Sequence, residues 1–239
     1  MANAIALAKK YVPLLDEVYK KAALTSVLDS DATLARAGVN TNEIVIPKLS
    51  MQGLADYSRN SGYVGGDTTL TWETVKFNYD RGRMFSIDAM DDEETINIAF
   101  GKLSSEFIRT KVVPEVDAFR FATIAGTSSI GKVAAGATLS TGDAVVSALR
   151  TGTNVMDEAE VTAEGRILFI TPTNYGLIQD LDTTKSREVL SRFSQIVQVP
   201  QSRFYTAIKL NTGGAGELAG GYAKAATGAA DINFMIVEP

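Results

Sequence analysis

The sequence predicts an α+β fold, and three observations carry the prediction. Two stretches, Glu43 to Leu49 and Thr69 to Asp88, are rich in β-branched and aromatic residues. A long helical pattern runs from Asp91 to Ala125. Beyond it, strand and helix signals alternate as they do in an α/β subdomain.

Near the N-terminus Tyr11, Leu14, Leu15, Val18, Tyr19 and Ala22 recur at three- and four-residue steps. They form one apolar helical face, opposite Lys9, Lys10, Asp16, Lys20 and Lys21, and Pro13 suits a helix's first turn. The pattern fits an ordinary core helix, and equally a terminal arm docked on a neighbouring subunit. A second short helix is expected from about Thr25 to Ala37, with Gly38 in the position of a left-handed cap.

In the strand segments, Leu70, Trp72, Val75, Phe77, Tyr79, Phe85 and Ile87 mark extended chain. The apolar phase slips between Trp72 and Val75, which fits either a bulge or a twisted strand with two apolar faces. Ser50 to Asp67 carries Gly53, Gly62, Gly65 and Gly66 without sustained periodicity and reads as a mobile loop or hairpin tip. At about 3.4 Å per residue, a strand from Thr69 to Asp88 reaches roughly 60 Å, far longer than the usual strand. A lone two-stranded hairpin is marginal in water, so its apolar side chains need a partner surface. Another subunit would serve, as would further strands of an ordinary sheet in the same domain. Arg81 and Arg83, two apart on this strand, are expected on one face, where inter-subunit ion pairing and plain solvation are both open.

Asp91, Asp92, Glu93 and Glu94 crowd the start of the long helical pattern, where acids favour the positive end of the helix dipole. Ile96, Phe100, Leu103, Phe107, Val112, Val116, Phe119 and Ile124 continue it, over roughly 50 Å at 1.5 Å per residue. Pro114 is expected to kink or break it, because it lacks an amide donor and crowds the preceding turn. Small residues from Thr127 to Thr138 then read as a loop leading to another domain. A helix from about Thr141 to Glu158, a buried strand from Arg166 to Thr171 and a helix opened by Pro172 toward Leu181 follow. Arg192 to Leu210 is strand-like and broken by Pro200, Asn211 to Gly221 is a glycine-rich loop, and Ile232 to Val237 is a terminal strand.

Composition narrows the function. The 239 residues include no cysteine and no histidine, which excludes disulfide frameworks, thiolate nucleophiles, histidine bases and the usual zinc clusters. Carboxylate, lysine, tyrosine or serine/lysine chemistry, or magnesium held by acids, is what remains for an enzyme. A formal charge of -5 argues against coating a phosphate backbone through the overall field, while leaving room for a local patch. The run Ala4 to Ala8 is too short for a signal peptide, and no stretch approaches the length of a membrane span, so the chain reads as soluble.

Two motifs invite a catalytic reading. Gly214-Ala215-Gly216-Glu217-Leu218-Ala219 resembles the dinucleotide fingerprint, but it leads into Gly220-Gly221 rather than a helix, so a flexible loop is expected. Ser128-Ser129 near Lys132 suggests serine/lysine catalysis only as far as any glycine- and serine-rich loop does. The acids Asp91 to Glu94 are read as a solvated helix start rather than a metal site.

Three stretches together resemble the tailed-bacteriophage major capsid protein family of the Hong Kong 97 type, particularly its clostridial and other Firmicute prophage members. Tyr11 to Lys21 continuing through Leu24-Thr25-Ser26-Val27-Leu28 resembles that family's N-terminal arm. Phe85-Ser86-Ile87-Asp88 to Glu93, leading to Val113-Pro114-Glu115-Val116-Asp117-Ala118-Phe119-Arg120, resembles the end of its extended loop and its long spine helix. Val199-Pro200-Gln201-Ser202-Arg203-Phe204 is similar to a strand segment of its axial domain.

The resemblance implies an N-terminal arm over residues 1–42, an extended β-hairpin loop over 43–86, and a peripheral domain with its spine helix over 87–126. An α/β axial domain over 127–230 and a strand over 231–239 returning toward the peripheral domain complete it. It further implies hexamers and pentamers that self-assemble into an icosahedral shell around double-stranded DNA, a virion component built in the bacterial cytoplasm. Assembly rather than turnover is the implied role, with no cofactor and no metal. Tyr11, Leu14, Leu15 and Tyr19 of the arm and Trp72, Phe77, Tyr79, Arg81 and Arg83 of the loop are the expected assembly contacts.

Two departures stand out. Some relatives cross-link a loop lysine to an asparagine, whereas Ser50 to Asp67 contains no lysine. Family members also return to the peripheral domain after the axial domain; Pro239 precedes that return, which leaves a truncated chain open. A separate scaffolding protein and a portal are the implied partners, and DNA is touched only non-specifically. An encapsulin-like compartment shell resembles the same fold, and a small magnesium-dependent α/β enzyme is the alternative of a different kind.

Overall fold

A computed structural model of the chain describes residues 23–29, 36–37, 43–60, 62–86, 103, 106–133 and 136–238. Among these residues helices combine with three separate β-sheets, an α+β architecture, in two compact units. One unit is Ser30–Ser86, and the other comprises the chain on either side of it. Among the described residues no helix is long and apolar enough to cross a membrane.

The smaller unit is an antiparallel sheet in the order β1-β2-β3, formed by β1 (Arg36–Ala37), β2 (Glu43–Met51) and β3 (Thr68–Lys76). The β-branched run Ile44-Val45-Ile46 and the sequence Thr68-Thr-Leu-Thr-Trp-Glu-Thr-Val-Lys76 favour extended chain. Their ladder runs unbroken from Glu43↔Lys76 to Met51↔Thr68. Pro47, which cannot donate to a ladder, lies beyond the two residues, Ile44 and Val45, that β1 flanks.

One open alternative is decided here, and two expectations change. The ladder has no bulge between Trp72 and Val75, so the slip in apolar phase belongs to a strand with two apolar faces. Nor does β3 run to Asp88. A strand persists only while it has a partner, and the described pairing with β2 is used up at Glu43↔Lys76, which leaves nine residues, about 30 Å. Among the described residues of the helix expected from Thr25 to Ala37, Thr25–Leu28 form a 3-10 turn followed by extended Asp29, and Arg36 and Ala37 pair with β2 instead.

The larger unit has three layers. Its sheet, in the order β5-β4-β8, places β4 (Ile167–Ile170) between β5 (Gln195–Gln198), which is parallel to it, and β8 (Phe234–Val237), which is antiparallel. The four residues of β4 are buried on both faces, as a continuous apolar run requires. Leu168 and Ile170 point with Ile196, Phe234 and Ile236 into a cluster with Val145, Leu149, Ile178, Val189 and Phe193. Those partners come from α2 (Gly142–Glu158), α3 (Pro172–Leu181), α4 (Thr184–Leu190) and the turn after it. Ile167 and Phe169 point the other way, with Val197, Met235 and Val237, onto Phe121, Val199, Phe204 and Ile232. Phe121 lies on α1 (Val113–Gly126) and meets Phe169 and Phe204 edge-on at centroid distances of 5.2 and 4.9 Å. The terminal segment supplies the edge strand β8 of this sheet.

Local chemistry sets the helix ends. Thr141 caps α2 by accepting from the Ala144 N–H, Thr171 caps α3 from the Asn174 N–H, and Pro172 occupies the first turn of α3. Thr183 and Ser186 form a reciprocal capping box on α4. Gly142 is required by close packing: a Cβ there would collide with the Leu177 carbonyl oxygen and the Leu181 side chain. Pro114 does not break its helix. It sits in the first turn of α1, directly after a π-helical stretch, Ile108–Val112, whose wider turn accommodates a residue without an amide hydrogen. The expected helix start at Asp91 to Glu94 lies outside the described residues.

Arg166, 2% exposed, ties the start of β4 to the end of α2. It donates to the carbonyls of Thr162 and Val161 at 2.9 and 2.7 Å and pairs with Asp157 at 2.7 Å. Arg192 also reaches Asp157, at 3.4 Å. A short hairpin of β6 (Ile208–Leu210) and β7 (Tyr222–Lys224) encloses the glycine-rich loop.

Candidate assembly interface

In an antiparallel ladder, directly paired residues share a face. One face of the hairpin therefore carries Met51, Leu49, Leu70, Pro47, Trp72 and Val45, with the Glu43–Lys76 ion pair (3.4 Å) closing its end. The opposite face carries Ser50, Thr69, Lys48 and Thr71 toward the loop, and Ile46, Glu73, Ile44 and Val75 toward the other end. Lys48 and Glu73 approach to 3.9 Å there.

The first face is a stripe of large apolar side chains left open to solvent. Met51 is 66% exposed, Leu49 59%, Leu70 56% and Trp72 48%. Leu54, Tyr63 and Val64 extend the exposed apolar surface into the loop, where Tyr57 and Tyr63 pack at 4.9 Å across the tight turn Ser58 to Gly62.

Of the expected contact residues, Trp72 stands on this stripe. Phe77 is exposed immediately after β3, and Tyr79 is half-buried. Arg81 and Arg83 are exposed but lie past the end of the strand, so strand alternation does not place them on one face as expected. Tyr11, Leu14, Leu15 and Tyr19 lie outside the described residues. The sequence pattern did not single out Leu49, Met51 and Leu70 as contacts; the ladder register brings them beside Trp72.

A second feature lies wholly in the larger unit and was not foreseen. Asp117, on α1, is completely buried. Its Oδ1 accepts from the Thr25 N–H (3.2 Å) and the Thr25 hydroxyl (2.7 Å). Its Oδ2 accepts from the Leu24 N–H (3.1 Å) and from Arg203 Nη1 (2.9 Å). Arg120, one turn along, donates to the Thr25 carbonyl at 3.3 Å and pairs with Asp29 at 2.9 Å. Thr25, Asp117, Arg120 and Arg203 come one or two each from the three sequence stretches that carry the family resemblance. Four donors nearly fill the acceptor capacity of one carboxylate, so Asp117 joins three chain segments. Its signal in the sequence was an acid flanked at helical spacing by Val113, Pro114 and Phe121. Burial among the neighbouring groups pushes the Tyr222 phenol up, and its hydroxyl donates to the Ser202 carbonyl at 2.9 Å.

The catalytic motifs do not assemble. Gly214 to Ala219 lies in the β6–β7 loop, where the Glu217 carboxylate pairs with Lys209 and accepts from the Thr212 N–H at 2.8 Å. The Lys209 hydrogen bond, then the Thr212 amide, hold Glu217 down at about 2. Glu217 thus engages the Thr212 amide and the Lys209 ammonium, groups that a phosphate-cradling loop would turn toward its ligand. Gly213, Gly216, Gly220 and Gly221 all have positive φ, the backbone this tight loop needs. Ser128, Ser129 and Lys132 stand exposed in the turn after α1.

No family model and no curated protein matches the chain. Among solved structures, a chain of the "Capsid structure of the Cyanophage P-SCSP1u" is similar at 16% identity and a TM-score of 0.47, over 73% of this chain and 58% of that one. The chain thus spans 58% of the length of that capsid chain. A likeness at this level says nothing by itself of what the present chain does.

Proposed function

We infer that the chain is a structural protein, the major capsid protein of a tailed bacteriophage or prophage, whose copies assemble into the icosahedral shell around double-stranded DNA. The observation that carries this reading is the exposed apolar face of the β2–β3 hairpin. Large contiguous apolar patches on a soluble protein mark interaction sites, and a hairpin whose third strand is only two residues long has little core of its own. The family resemblance of the three sequence stretches supplies the kind of partner, further copies of the same chain. A separate scaffolding protein and a portal would complete the assembly, and DNA would be contacted non-specifically, in keeping with the charge of -5.

Magnitudes decide how such a protein behaves. Fully burying a large apolar side chain contributes about 1.5–3 kcal/mol. Met51, Leu49, Leu70 and Trp72 are each about half exposed, so covering all four contributes about 4 kcal/mol in total. Association costs about as much or more in lost translational and rotational freedom. A single hairpin contact is therefore weak, and stable assembly needs closed rings in which every copy both gives and receives one. Free protein should be monomeric when dilute and assemble cooperatively when concentrated.

The test is electron microscopy of purified protein at high concentration, alone and with a candidate scaffolding protein. Hexameric rings, sheets, tubes or shells are the expected result. A monomer under every condition would overturn the reading.

A further inference from the structure

We propose that residues Leu24 to Asp29 form a latched strap, a short segment that opens and closes on the larger unit while that unit stays folded, with Asp117 as its positioning residue. This inference does not depend on the capsid reading.

The strap has little to hold it by itself. Its 3-10 turn, Thr25–Leu28, is four residues long and has no side-chain cap, below the length at which helical structure is stable in isolation. Leu24, Val27 and Leu28 are only partly buried and sit at the margin of the cluster formed by Phe121, Ile167, Phe169, Val199, Phe204 and Ile232. All six central members belong to the body, so removing the strap uncovers their flank without removing the core.

What fastens the strap is polar and converges on α1. Asp117 receives three hydrogen bonds from it, and Arg120 holds the Thr25 carbonyl and Asp29. The arrangement lets the strap leave without stranding a charge. When Leu24 and Thr25 depart, Asp117 keeps Arg203 at 2.9 Å, itself 3% exposed, as its counter-ion. A buried carboxylate with no such second partner would tie strap and body into one cooperative unit.

Hydrogen exchange on the full chain, followed over a denaturant series, tests this. The Leu24 and Thr25 amides should exchange through an opening that precedes, and depends less on denaturant than, the opening that exposes Leu168 and Phe169. A hydrogen bond to a charged group is worth roughly tenfold in such an opening equilibrium. Thr25→Ala should therefore speed exchange at Leu24 and Thr25 about tenfold, leave Leu168 and Phe169 unchanged, and be rescued by Thr25→Ser. Asp117→Asn should speed exchange at the strap further and, because it also weakens the buried pair with Arg203, at Leu168 and Phe169 as well. The proposal is overturned if the strap and β4 amides share one opening in the wild type, or if Thr25→Ala accelerates both equally or neither.

Discussion

Replacing Arg203 by Leu removes the only side-chain cation bonded to the fully buried Asp117 carboxylate among the described contacts, at 2.9 Å. Hydrogen bonds from Leu24 and Thr25 remain, but they are dipoles and carry no net charge. Breaking a buried pair by removing one partner costs about 3–5 kcal/mol, most of it the uncompensated charge. Removing both partners, in Asp117→Leu with Arg203→Leu, takes the charge away as well, so the double variant should lose less than the sum of the two single variants by about 2 kcal/mol or more. Urea unfolding followed by circular dichroism at 222 nm gives each value. Tryptophan fluorescence would not serve, because the single tryptophan is Trp72, in the hairpin unit. A loss below about 1 kcal/mol for Arg203→Leu, the size of an exposed surface pair, would refute the assignment of a buried pair. Additive losses in the double variant would refute the coupling.

Two further outcomes follow from local geometry. Gly142→Ala places a methyl group against the Leu177 carbonyl and should destabilise the larger unit by about 1–3 kcal/mol in the same urea assay, as overpacking does. The Glu217 carboxyl is depressed in the folded loop to about 2 from an ordinary 4.5. Its contribution is accordingly complete above the ordinary value and disappears as pH falls through about 2. Amide exchange at Thr212 should stay protected at pH 4 and lose protection near pH 2, and Glu217→Gln should weaken that protection at neutral pH.

Much of the larger unit was legible because its signals are local. Thr141, Pro172 and four consecutive apolar residues at Ile167–Ile170 mark helix starts and a doubly buried strand within a few residues of each event. The helix α4 was missed because Thr184 to Leu190 is short and mostly polar; its clue was the Thr183/Ser186 capping box, with serine where glutamate is more usual. Strand length was not legible, since β3 ends where its pairing with β2 ends and not where its own β-propensity fades. Pro114 misled for a related reason: its ring is accommodated by a π turn whose presence depends on the backbone before it. The Asp117 network joins residues 86 to 95 positions apart, a separation at which no periodicity reports. The apolar hairpin face lay between these cases. Trp72 and Leu70 share a visible alternation, whereas Leu49 and Met51 join them only through the register.

That register also supplies the most direct test of assembly through the hairpin. Leu49 pairs with Leu70 on the apolar face, and Ser50 pairs with Thr69 on the other. Leu49→Glu with Leu70→Lys, and Ser50→Glu with Thr69→Lys, each introduce the same opposite-charge pair across the same ladder, so both should keep the hairpin intact. The measurement is sedimentation velocity over a concentration series, with micrographs of the fastest species. The account predicts that the Ser50/Thr69 variant assembles as the wild type does while the Leu49/Leu70 variant stays monomeric. Equal assembly by both variants would contradict it.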